Sequence, residues 1–391
     1  MSPSEIMNTK KRILFLIRNL QGGGAERSFL NIIVSLDRQR YEPHLVMWQQ
    51  TGAYLDELPT DVPLYILPAF RLTGVVRHIR HIRALAALIE MLQPEVVLSF
   101  LDGSNVLALE TKLVKNPDCV FIISQRNNLS VSFQRRYQFK GLRRWLKIAY
   151  VRWLYPRADH IISLSHGVKT DLVANFGLPA DRITPVHNPI DIQKVIGESD
   201  EPVTYPWKRS AYKIVISVGR LSEQKGYADL IDAFSRLENV QHLKLVILGE
   251  GELRGQLEAL IASKGLQHAV WMPGFVENPW AYLHDADIFV LASHWEGFGN
   301  VIVEAMACDT PVIVTDCDYG PREIITHGMD GILVPVGDVE RLADELDALL
   351  ADKHKQRALS GAGKVRASKF ERSRITRQYE KIFEIIVEAD L

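Results

Sequence analysis

The sequence predicts an α/β protein made of two doubly wound domains, each with a mostly parallel sheet. Short apolar runs alternate with helix-like stretches along the chain, and successive parallel strands need a helical crossover between them. This series of strands and helices begins twice, near residue 11 and again near residue 213. A chain of 391 residues also exceeds one ordinary core and fits two domains of about 150–200 residues each.

The first series opens with an apolar run at residues 10–20, a Gly-rich turn and an amphipathic helical pattern. That order is typical of the start of an α/β domain. Further strand-like runs follow at residues 44–48, 95–100, 120–124 and 160–165, with helical patterns at Val75–Leu92 and Leu142–Leu154. We therefore assign residues 1–190 to an N-terminal Rossmann-like domain.

The second series follows the segment HNPID (187–191) and a polar stretch at Glu198–Arg209. Its strand-like runs lie at residues 213–219, 243–251, 269–275, 286–293, 310–316 and 331–338. We assign residues 191–371 to a second Rossmann-like domain and 372–391 to a C-terminal helix that crosses back to the first. Because ligands bind outside the carboxyl ends of such strands, two facing sheets predict a site in an interdomain cleft.

Composition restricts the class of protein. Hydrophobic residues make up 47% and charged residues 24% of the chain, as in globular proteins. The three cysteines (Cys119, Cys308 and Cys317) form no C-x-x-C pair, which favours a reducing compartment over a disulfide framework or structural zinc. The N-terminal apolar run Ile13–Ile17 is shorter than a signal peptide or membrane span requires. We therefore expect a cytoplasmic protein.

Charge is distributed unevenly along the chain. Residues 1–200 carry 25 Lys/Arg and 18 Asp/Glu, whereas residues 201–391 carry 21 and 29. Nine of the cations and no acid lie between Cys119 and Ala158, interleaved with aromatic residues. Basic and aromatic side chains suit a helix lying on an anionic bilayer, and the cations expected there are Arg135, Arg136, Arg143, Arg144 and Lys147. A solvated helix face is the alternative, and no nucleic-acid-binding motif accompanies the charges.

The Gly-rich turn is the first candidate for binding an anion. Gly22, Gly23 and Gly24 allow close approach of the backbone, and the helix that follows presents free N–H groups. A tight strand-to-helix turn explains the glycines equally well. The turn matches neither the G-x-G-x-x-G spacing nor a P-loop.

Two cations form a more specific candidate. Arg220 directly follows Gly219 at the end of the strand 213–219, and Lys225 lies five residues later. An Arg fork and a Lys point charge at a strand end could hold a diphosphate and stabilise it as it leaves. The alternative is a pair of exposed loop cations.

Two carboxylates follow a later strand of the same domain. Glu296 is expected in a loop and Glu304 on the next helix, so one could accept hydrogen bonds from a hexose and the other from a ribose. Gly299 permits close backbone approach, and the N–H groups near Asn300 and Val301 would point at a phosphate. If Glu296 and Glu304 were the paired carboxylates of a glycosidase, one of them would have to be a buried acid with a raised pKa, and nothing in the sequence indicates that.

Taken together, these segments resemble the family-4 retaining glycosyltransferases of the GT-B fold, and the resemblance covers nearly the whole chain. It is carried by the Gly-rich turn, HNPID, GRLSEQKG (219–226), the Glu296/Glu304 pair and GPREII (320–325). The resemblance implies that Arg220 and Lys225 bind the donor diphosphate, Glu304 the ribose and Glu296 the transferred sugar. It also implies donor contacts from Gly22–Gly24, Gly219, Gly249, Phe275, Val276, Phe298, Gly299, Asn300 and Val301.

The expected activity is transfer of a hexose or N-acetylhexosamine from a nucleotide diphosphate sugar, expected to be UDP-linked, without a metal or other cofactor. Relatives that extend polyprenyl-diphosphate-linked glycans suggest a lipid-linked acceptor and peripheral contact with the cytoplasmic membrane face. Many relatives carry a His on the acceptor side, where this chain has Arg126 and Asn127.

A nucleotide-sugar epimerase or hydrolase of the same fold is the alternative enzyme. A dinucleotide-dependent oxidoreductase is disfavoured because the acidic residue expected about 20 residues after its glycine motif has no clear counterpart in this sequence. A non-catalytic sugar-nucleotide-binding or membrane-binding protein is disfavoured because the set of Arg220, Lys225, Glu296 and Glu304 is intact.

Overall fold

A computed structural model describes residues 10–68, 74–136 and 141–389. The chain divides into two compact units. The first unit comprises Met1–Pro189 with Arg372–Leu391, and the second comprises Ile190–Glu371. Each unit contains a sheet in which all paired strands run parallel. The predicted α/β class with two parallel sheets is therefore confirmed.

Among the described residues of the first unit, one sheet has seven strands in the order β3-β2-β1-β4-β5-β6-β7. The strands are β1 (Lys11–Leu16), β2 (Tyr41–Met47), β3 (Leu64–Ile66), β4 (Val96–Phe100), β5 (Val120–Gln125), β6 (His160–Ser163) and β7 (Ile183–Pro185). The α-helices described before Pro189 are α1 (Gly24–Ser35), α2 (Val75–Leu92), α3 (Asp102–Lys115), α4 (Leu129–Arg136), α5 (Gly141–Leu154) and α6 (His166–Phe176).

This sheet is covered on both faces. Every residue of β4 is buried, and alternate residues of β1 enter two different clusters, with Ile13 and Phe15 in one and Leu14 and Leu16 in the other. Such unbroken apolar strands are expected where helices pack on both sides of a parallel sheet. The strand order reverses between β1 and β4, which places the turn containing Gly22 beside the switch point of the sheet.

The second unit has six strands in the order β10-β9-β8-β11-β12-β13. They are β8 (Lys213–Val218), β9 (Leu243–Leu248), β10 (Val270–Gly274), β11 (Ile288–Leu291), β12 (Val312–Thr315) and β13 (Ile332–Val334). The helices are α7 (Ile192–Ser199), α8 (Tyr227–Ser235), α9 (Arg254–Ser263), α10 (Pro279–Asp285), α11 (Asn300–Ala307), α12 (Pro321–Ile324), α13 (Val339–Ala351) and α14 (Lys353–Ala367).

The switch point of the second sheet lies between β8 and β11, which pair directly. The chain leaves β8 toward β9 and returns on the other side as β11, so the loops after these two strands diverge around a crevice. Arg220 and Lys225 follow β8, and Glu296 follows β11. The predicted diphosphate and sugar residues therefore lie at the position where doubly wound sheets bind ligands.

The last helix, α15 (Arg372–Ala389), belongs to the first unit. It packs on α1 and contributes Tyr379 and Phe383 to the core around β1. The Asp37 amide donates a hydrogen bond to Glu380 Oε1 at 2.9 Å. No helix in the described ranges is long and apolar enough to cross a membrane.

Candidate active site

A lysine–glutamate pair lies at the switch point of the second sheet. Lys225 Nζ is 2.6 Å from Glu296 Oε1, and the two side chains are 16% and 7% exposed. Ser293 Oγ donates to the same carboxylate oxygen at 2.7 Å, and Gln224 Nε2 donates to Oε2 at 3.4 Å. The carboxylate is therefore held by three donors. Because an ammonium group has three N–H bonds, Lys225 can still donate to a second anion.

Contacts between the loops after β8 and β11 bring this pair together. The His294 amide donates to the Gln224 carbonyl at 2.8 Å, and Gln224 Nε2 donates to the Trp295 carbonyl at 3.0 Å. His294 Nε2 also lies 2.8 Å from Asp229 Oδ2 at the start of α8. These bonds fix the two loops side by side, so the positions of Lys225 and Glu296 depend on backbone contacts as well as on their own ion pair.

Gly226 is required for this close approach. Its φ of 59° lies in the left-handed region, and a Cβ there would stand 2.0 Å from the Ala292 carbonyl oxygen. We expect Gly226→Ala to destabilise the second unit by more than about 1 kcal/mol, because strain at φ adds to a clash with rigid backbone. Chemical denaturation checks this, with Gly255→Ala as the control, since a Cβ at Gly255 meets nothing within 4 Å. Equal midpoints for the two variants would contradict the expectation.

Arg220 stands next to the pair at the end of β8. Its side chain is exposed and forms no ion pair or side-chain hydrogen bond with another residue in the described ranges. The backbone around it is fixed, since the Leu221 amide donates to the Glu250 carbonyl at 2.9 Å. A Cβ at Gly249 would lie 2.0 Å from the Gly219 carbonyl oxygen, so these two loops meet backbone to backbone. Arg220 is therefore a solvent-facing cation on a rigid support.

The predicted base-binding residues lie on neighbouring strand ends. Gly249 follows β9, and Phe275 and Val276 follow β10, which pairs with β9. Phe275 is 79% exposed, an unusual position for a large aromatic side chain. An exposed ring at this edge offers a flat apolar surface on which a base could stack.

Glu304 lies on α11, which begins after Gly299 at a φ of 96°. Trp280 Nε1 on α10 donates to Glu304 Oε2 at 3.2 Å, so one carboxylate oxygen has an indole partner. The first residues of α11 are Asn300 and Val301, whose amides lie in its first turn. Phe298 is 2% exposed and packs against Phe370 with ring centroids 5.4 Å apart. Because the Phe298 side chain is buried, only the backbone of Phe298 could contact a ligand.

The Gly-rich turn of the first unit precedes α1 without a side-chain cap. Gly22 has a φ of 109°, and its carbonyl accepts a hydrogen bond from Tyr54 OH at 3.1 Å. Glu26 bends back over the turn, since a Cβ at Gly23 would lie 2.4 Å from its Oε2. An anion at this helix terminus would have to displace that carboxylate. The donor role of Gly22, Gly23 and Gly24 stays a prediction.

Arg126 occupies a different environment from Asn127. It is 5% exposed, donates to Tyr379 OH at 3.1 Å and to Asn188 Oδ1, and lies over the Phe100 ring at 5.0 Å. Burial lowers the pKa of this guanidinium. Arg126 therefore joins β5 to α15, and direct contact with an acceptor would require it to leave these partners. Asn127, which we also expect on the acceptor side, is half-buried at the same strand end.

The expected membrane-facing cations lie on two helices. On α5, Arg143 and Lys147 are exposed and Arg144 is partly exposed. The side chains of Arg135 and Arg136, at the end of α4, lie outside the described residues. Four neighbours of the site were not predicted as such: Ser293, Gln224, Trp280 and His294. Ser293 ends the predicted strand 286–293, and Gln224 lies within the predicted segment 219–226.

Comparison with known proteins agrees with this geometry. Residues 22–194 match the family described as "Glycosyltransferase Family 4", and residues 206–366 match "Glycosyl transferases group 1". Over 372 residues the chain is 30% identical to an N-acetylgalactosamine-N,N'-diacetylbacillosaminyl-diphospho-undecaprenol 4-alpha-N-acetylgalactosaminyltransferase from Campylobacter jejuni, covering 94% of this chain and 98% of that one. These matches define a glycosyltransferase. The chain belongs to the family-4 glycosyltransferases with the GT-B fold.

Further similarities are consistent with that assignment. A second Campylobacter jejuni protein, GalNAc-alpha-(1->4)-GalNAc-alpha-(1->3)-diNAcBac-PP-undecaprenol alpha-1,4-N-acetyl-D-galactosaminyltransferase, is 27% identical, with 95% of this chain and 98% of that one covered. Among solved structures, Anabaena Alr3699/HepE in complex with UDP has a TM-score of 0.78 at 22% identity, covering 95% of this chain and 99% of that one. At that identity the structural likeness shows the fold alone.

Proposed function

We propose that the protein is a retaining, metal-independent glycosyltransferase that moves an N-acetylhexosamine or hexose from a UDP-sugar to a polyprenyl-diphosphate-linked glycan. The observation that carries the proposal is the Lys225–Glu296 pair beside the exposed Arg220 at the switch point of the second sheet. The two Campylobacter relatives are named as transferases acting on undecaprenol-diphosphate-linked glycans. The complex of HepE with UDP supports the choice of nucleotide.

The cations account for departure of the nucleotide. Breaking the bond between the sugar and the diphosphate leaves negative charge on the phosphate oxygens, and fixed positive groups aimed at that charge stabilise the transition state. Arg220 faces solvent, and Lys225 retains free N–H bonds while paired with Glu296. We propose metal independence because these two cations would neutralise the charge on the leaving diphosphate, as a divalent ion does in other transferases.

Glu296 is assigned to holding the sugar. Its carboxylate already accepts hydrogen bonds from Lys225, Ser293 and Gln224, which lowers its tendency to attack an anomeric carbon. The neighbouring thiol of Cys317 is no substitute, because burial, and to a smaller degree the Glu296 charge, raises its pKa to about 12. We therefore propose that the acceptor hydroxyl attacks from the face that the diphosphate leaves and passes its proton to the departing phosphate oxygen, with retention of configuration.

The donor site is tested by thermal shift in EDTA with a panel of UDP- and GDP-sugars. A ligand at 100 times its dissociation constant stabilises its unit by about 2.7 kcal/mol, or roughly 5–10 °C for a unit of this size. We expect a shift with UDP-sugars in EDTA, reduced in Lys225→Ala and retained in Lys264→Ala, whose lysine pairs with Asp232 on the surface. A shift that requires added Mg²⁺ would contradict metal independence.

We further propose peripheral contact with an anionic membrane. A lipid-linked acceptor lies at a bilayer surface, and the exposed cations of α5 are accompanied by exposed tryptophans, Trp145 and Trp153. Each cation near an anionic surface contributes about 1 kcal/mol of attraction. Co-sedimentation with anionic vesicles at low salt tests this proposal, and failure to sediment would contradict it.

A further inference from the structure

Helix α5 carries an exposed apolar face. Leu142, Trp145, Leu146 and Trp153 are 73%, 64%, 52% and 50% exposed, respectively. Their spacing of three, four and eleven residues from Leu142 places them on one side of a helix. Monomeric proteins seldom expose so many large apolar side chains together unless the surface binds something.

Helix α2 has a similar surface at its N-terminal half. Val76 and Ile79, one turn apart, are 52% and 43% exposed. The cations Arg77, Arg80 and Arg83 are exposed on the same helix. Both helices therefore combine exposed apolar side chains with positive charge, although they are separated in the sequence by β4, α3, β5 and α4.

One carboxylate on a third helix connects them. Glu110 of α3 is 20% exposed, and its two oxygens hydrogen bond to different helices. His78 Nε2 of α2 contacts Oε2, and Tyr150 OH of α5 donates to Oε1. The Tyr150 ring in turn stacks on the exposed Trp153, with centroids 5.9 Å apart. Glu110 thus links the orientation of α2 to that of α5.

We propose that Glu110 is a positioning residue that holds α2 and α5 as one surface for docking onto an anionic bilayer. The inference rests on the proposed membrane function and adds to it a second helix and the residue that joins the two. The composition favours a bilayer as the occupant, because interfacial tryptophans and leucines bury in the headgroup region while nearby arginines and lysines meet anionic lipid. Nucleic acid would not bury Leu142 and Leu146.

The linking contacts depend on pH. Hydrogen bonding to Glu110 raises the pKa of His78, which also faces Lys147 of α5 and neighbours Arg77 and His81 on α2. Partial burial opposes ionisation of Glu110, but its bonds to His78 and Tyr150 lower its pKa. The charged contact is thus complete below the usual His pKa of 6.5 and above the usual Glu pKa of 4.5, and it weakens as pH rises through the raised pKa of His78.

The test is vesicle co-sedimentation of the full chain with a matched pair of variants. Glu110→Gln and Glu90→Gln each remove one negative charge from a contact between α2 and α3, but Glu90 of α2 pairs with Lys115 of α3 at the surface, whereas Glu110 also bonds to Tyr150 of α5. Loss of a negative charge by itself strengthens binding to anionic lipid. We expect Glu90→Gln to bind at least as well as wild type and Glu110→Gln to bind about tenfold more weakly, the effect of one or two cations leaving the membrane.

The outcomes separate the two proposals. If wild type fails to sediment with vesicles containing anionic lipid, the membrane function itself is contradicted. If wild type binds and Glu110→Gln binds as well as Glu90→Gln, only the role of Glu110 is overturned. Binding equal to neutral and anionic vesicles, binding to duplex DNA instead, or a dimer that buries α5 in solution would each overturn the anionic bilayer as occupant.

Two milder variants cover the case in which Glu110→Gln fails to fold. Tyr150→Phe removes only the hydroxyl donor and is expected to weaken vesicle binding several-fold. His78→Gln is expected to abolish the part of the pH dependence that lies above the usual His pKa of 6.5. Wild type should bind more strongly at the lower pH, and an identical pH profile in His78→Gln would contradict the contribution of this histidine.

Discussion

Replacing Lys225 with alanine is expected to lower kcat by roughly 10²–10³, the usual effect of removing one donor that stabilises developing negative charge. Lys225 is placed to act in this way because Glu296 orients it while leaving N–H bonds for the leaving diphosphate. Since the interaction is strongest in the transition state, kcat should fall more than donor KM rises. Steady-state kinetics with a fixed lipid-linked acceptor measures both constants.

Lys264→Ala is the control for Lys225→Ala. It also removes a lysine from a Lys–Asp/Glu pair in the second unit, but this pair lies on the surface between α8 and α9. Its kinetic constants should match those of wild type. Turnover of Lys225→Ala at the wild-type rate would contradict the assignment of this lysine to the leaving group.

Glu296→Gln is expected to affect stability and activity together. The amide keeps the shape of the side chain, but Lys225, which is 16% exposed, loses its charged partner. Removing one member of a buried ion pair typically destabilises a protein by about 3–5 kcal/mol. Denaturant titration should show this loss in the second unit, and transfer should fall because the sugar and Lys225 both lose their support.

A double variant separates these two effects. In Lys225→Met/Glu296→Gln no unpaired charge remains, so much of the stability lost in Glu296→Gln should return while transfer stays low. If Glu296→Gln is as stable as wild type, the ion pair does not support the site as described. If the double variant regains transfer, neither residue takes part in catalysis.

Most of the fold could be predicted because its strands are long apolar runs. The buried strands β8 and β9 have nearly the bounds expected from the sequence. The three-residue edge strands β3 and β7 were missed because prolines interrupt their apolar patterns: Pro63 and Pro68 flank β3, and Pro185 ends β7. Such short edges are defined by pairing with a neighbouring strand rather than by local composition.

The site was predictable as segments but not as contacts. Strand ends placed Arg220, Lys225 and Glu296 near the same edge, whereas the 2.6 Å contact between Lys225 and Glu296 depends on how the loops after β8 and β11 pack. Gln224 could not be identified because its partner Glu296 lies 72 residues later, and nothing local marks Ser293, three residues before Glu296, as a donor to that carboxylate. The burial of Arg126 could not be predicted either, because its partner Tyr379 lies 253 residues later in the chain.

The most direct test of the proposed function is a transfer assay in EDTA with a polyprenyl-diphosphate-linked glycan and a panel of UDP- and GDP-sugars. Mass spectrometry identifies the product, NMR gives the configuration of the new bond, and nucleotide release is measured with and without acceptor. We expect acceptor-dependent transfer from one UDP-sugar with retention of configuration. Nucleotide release or epimerisation unaffected by acceptor, an inverted product, or a strict requirement for a divalent ion would contradict the proposal.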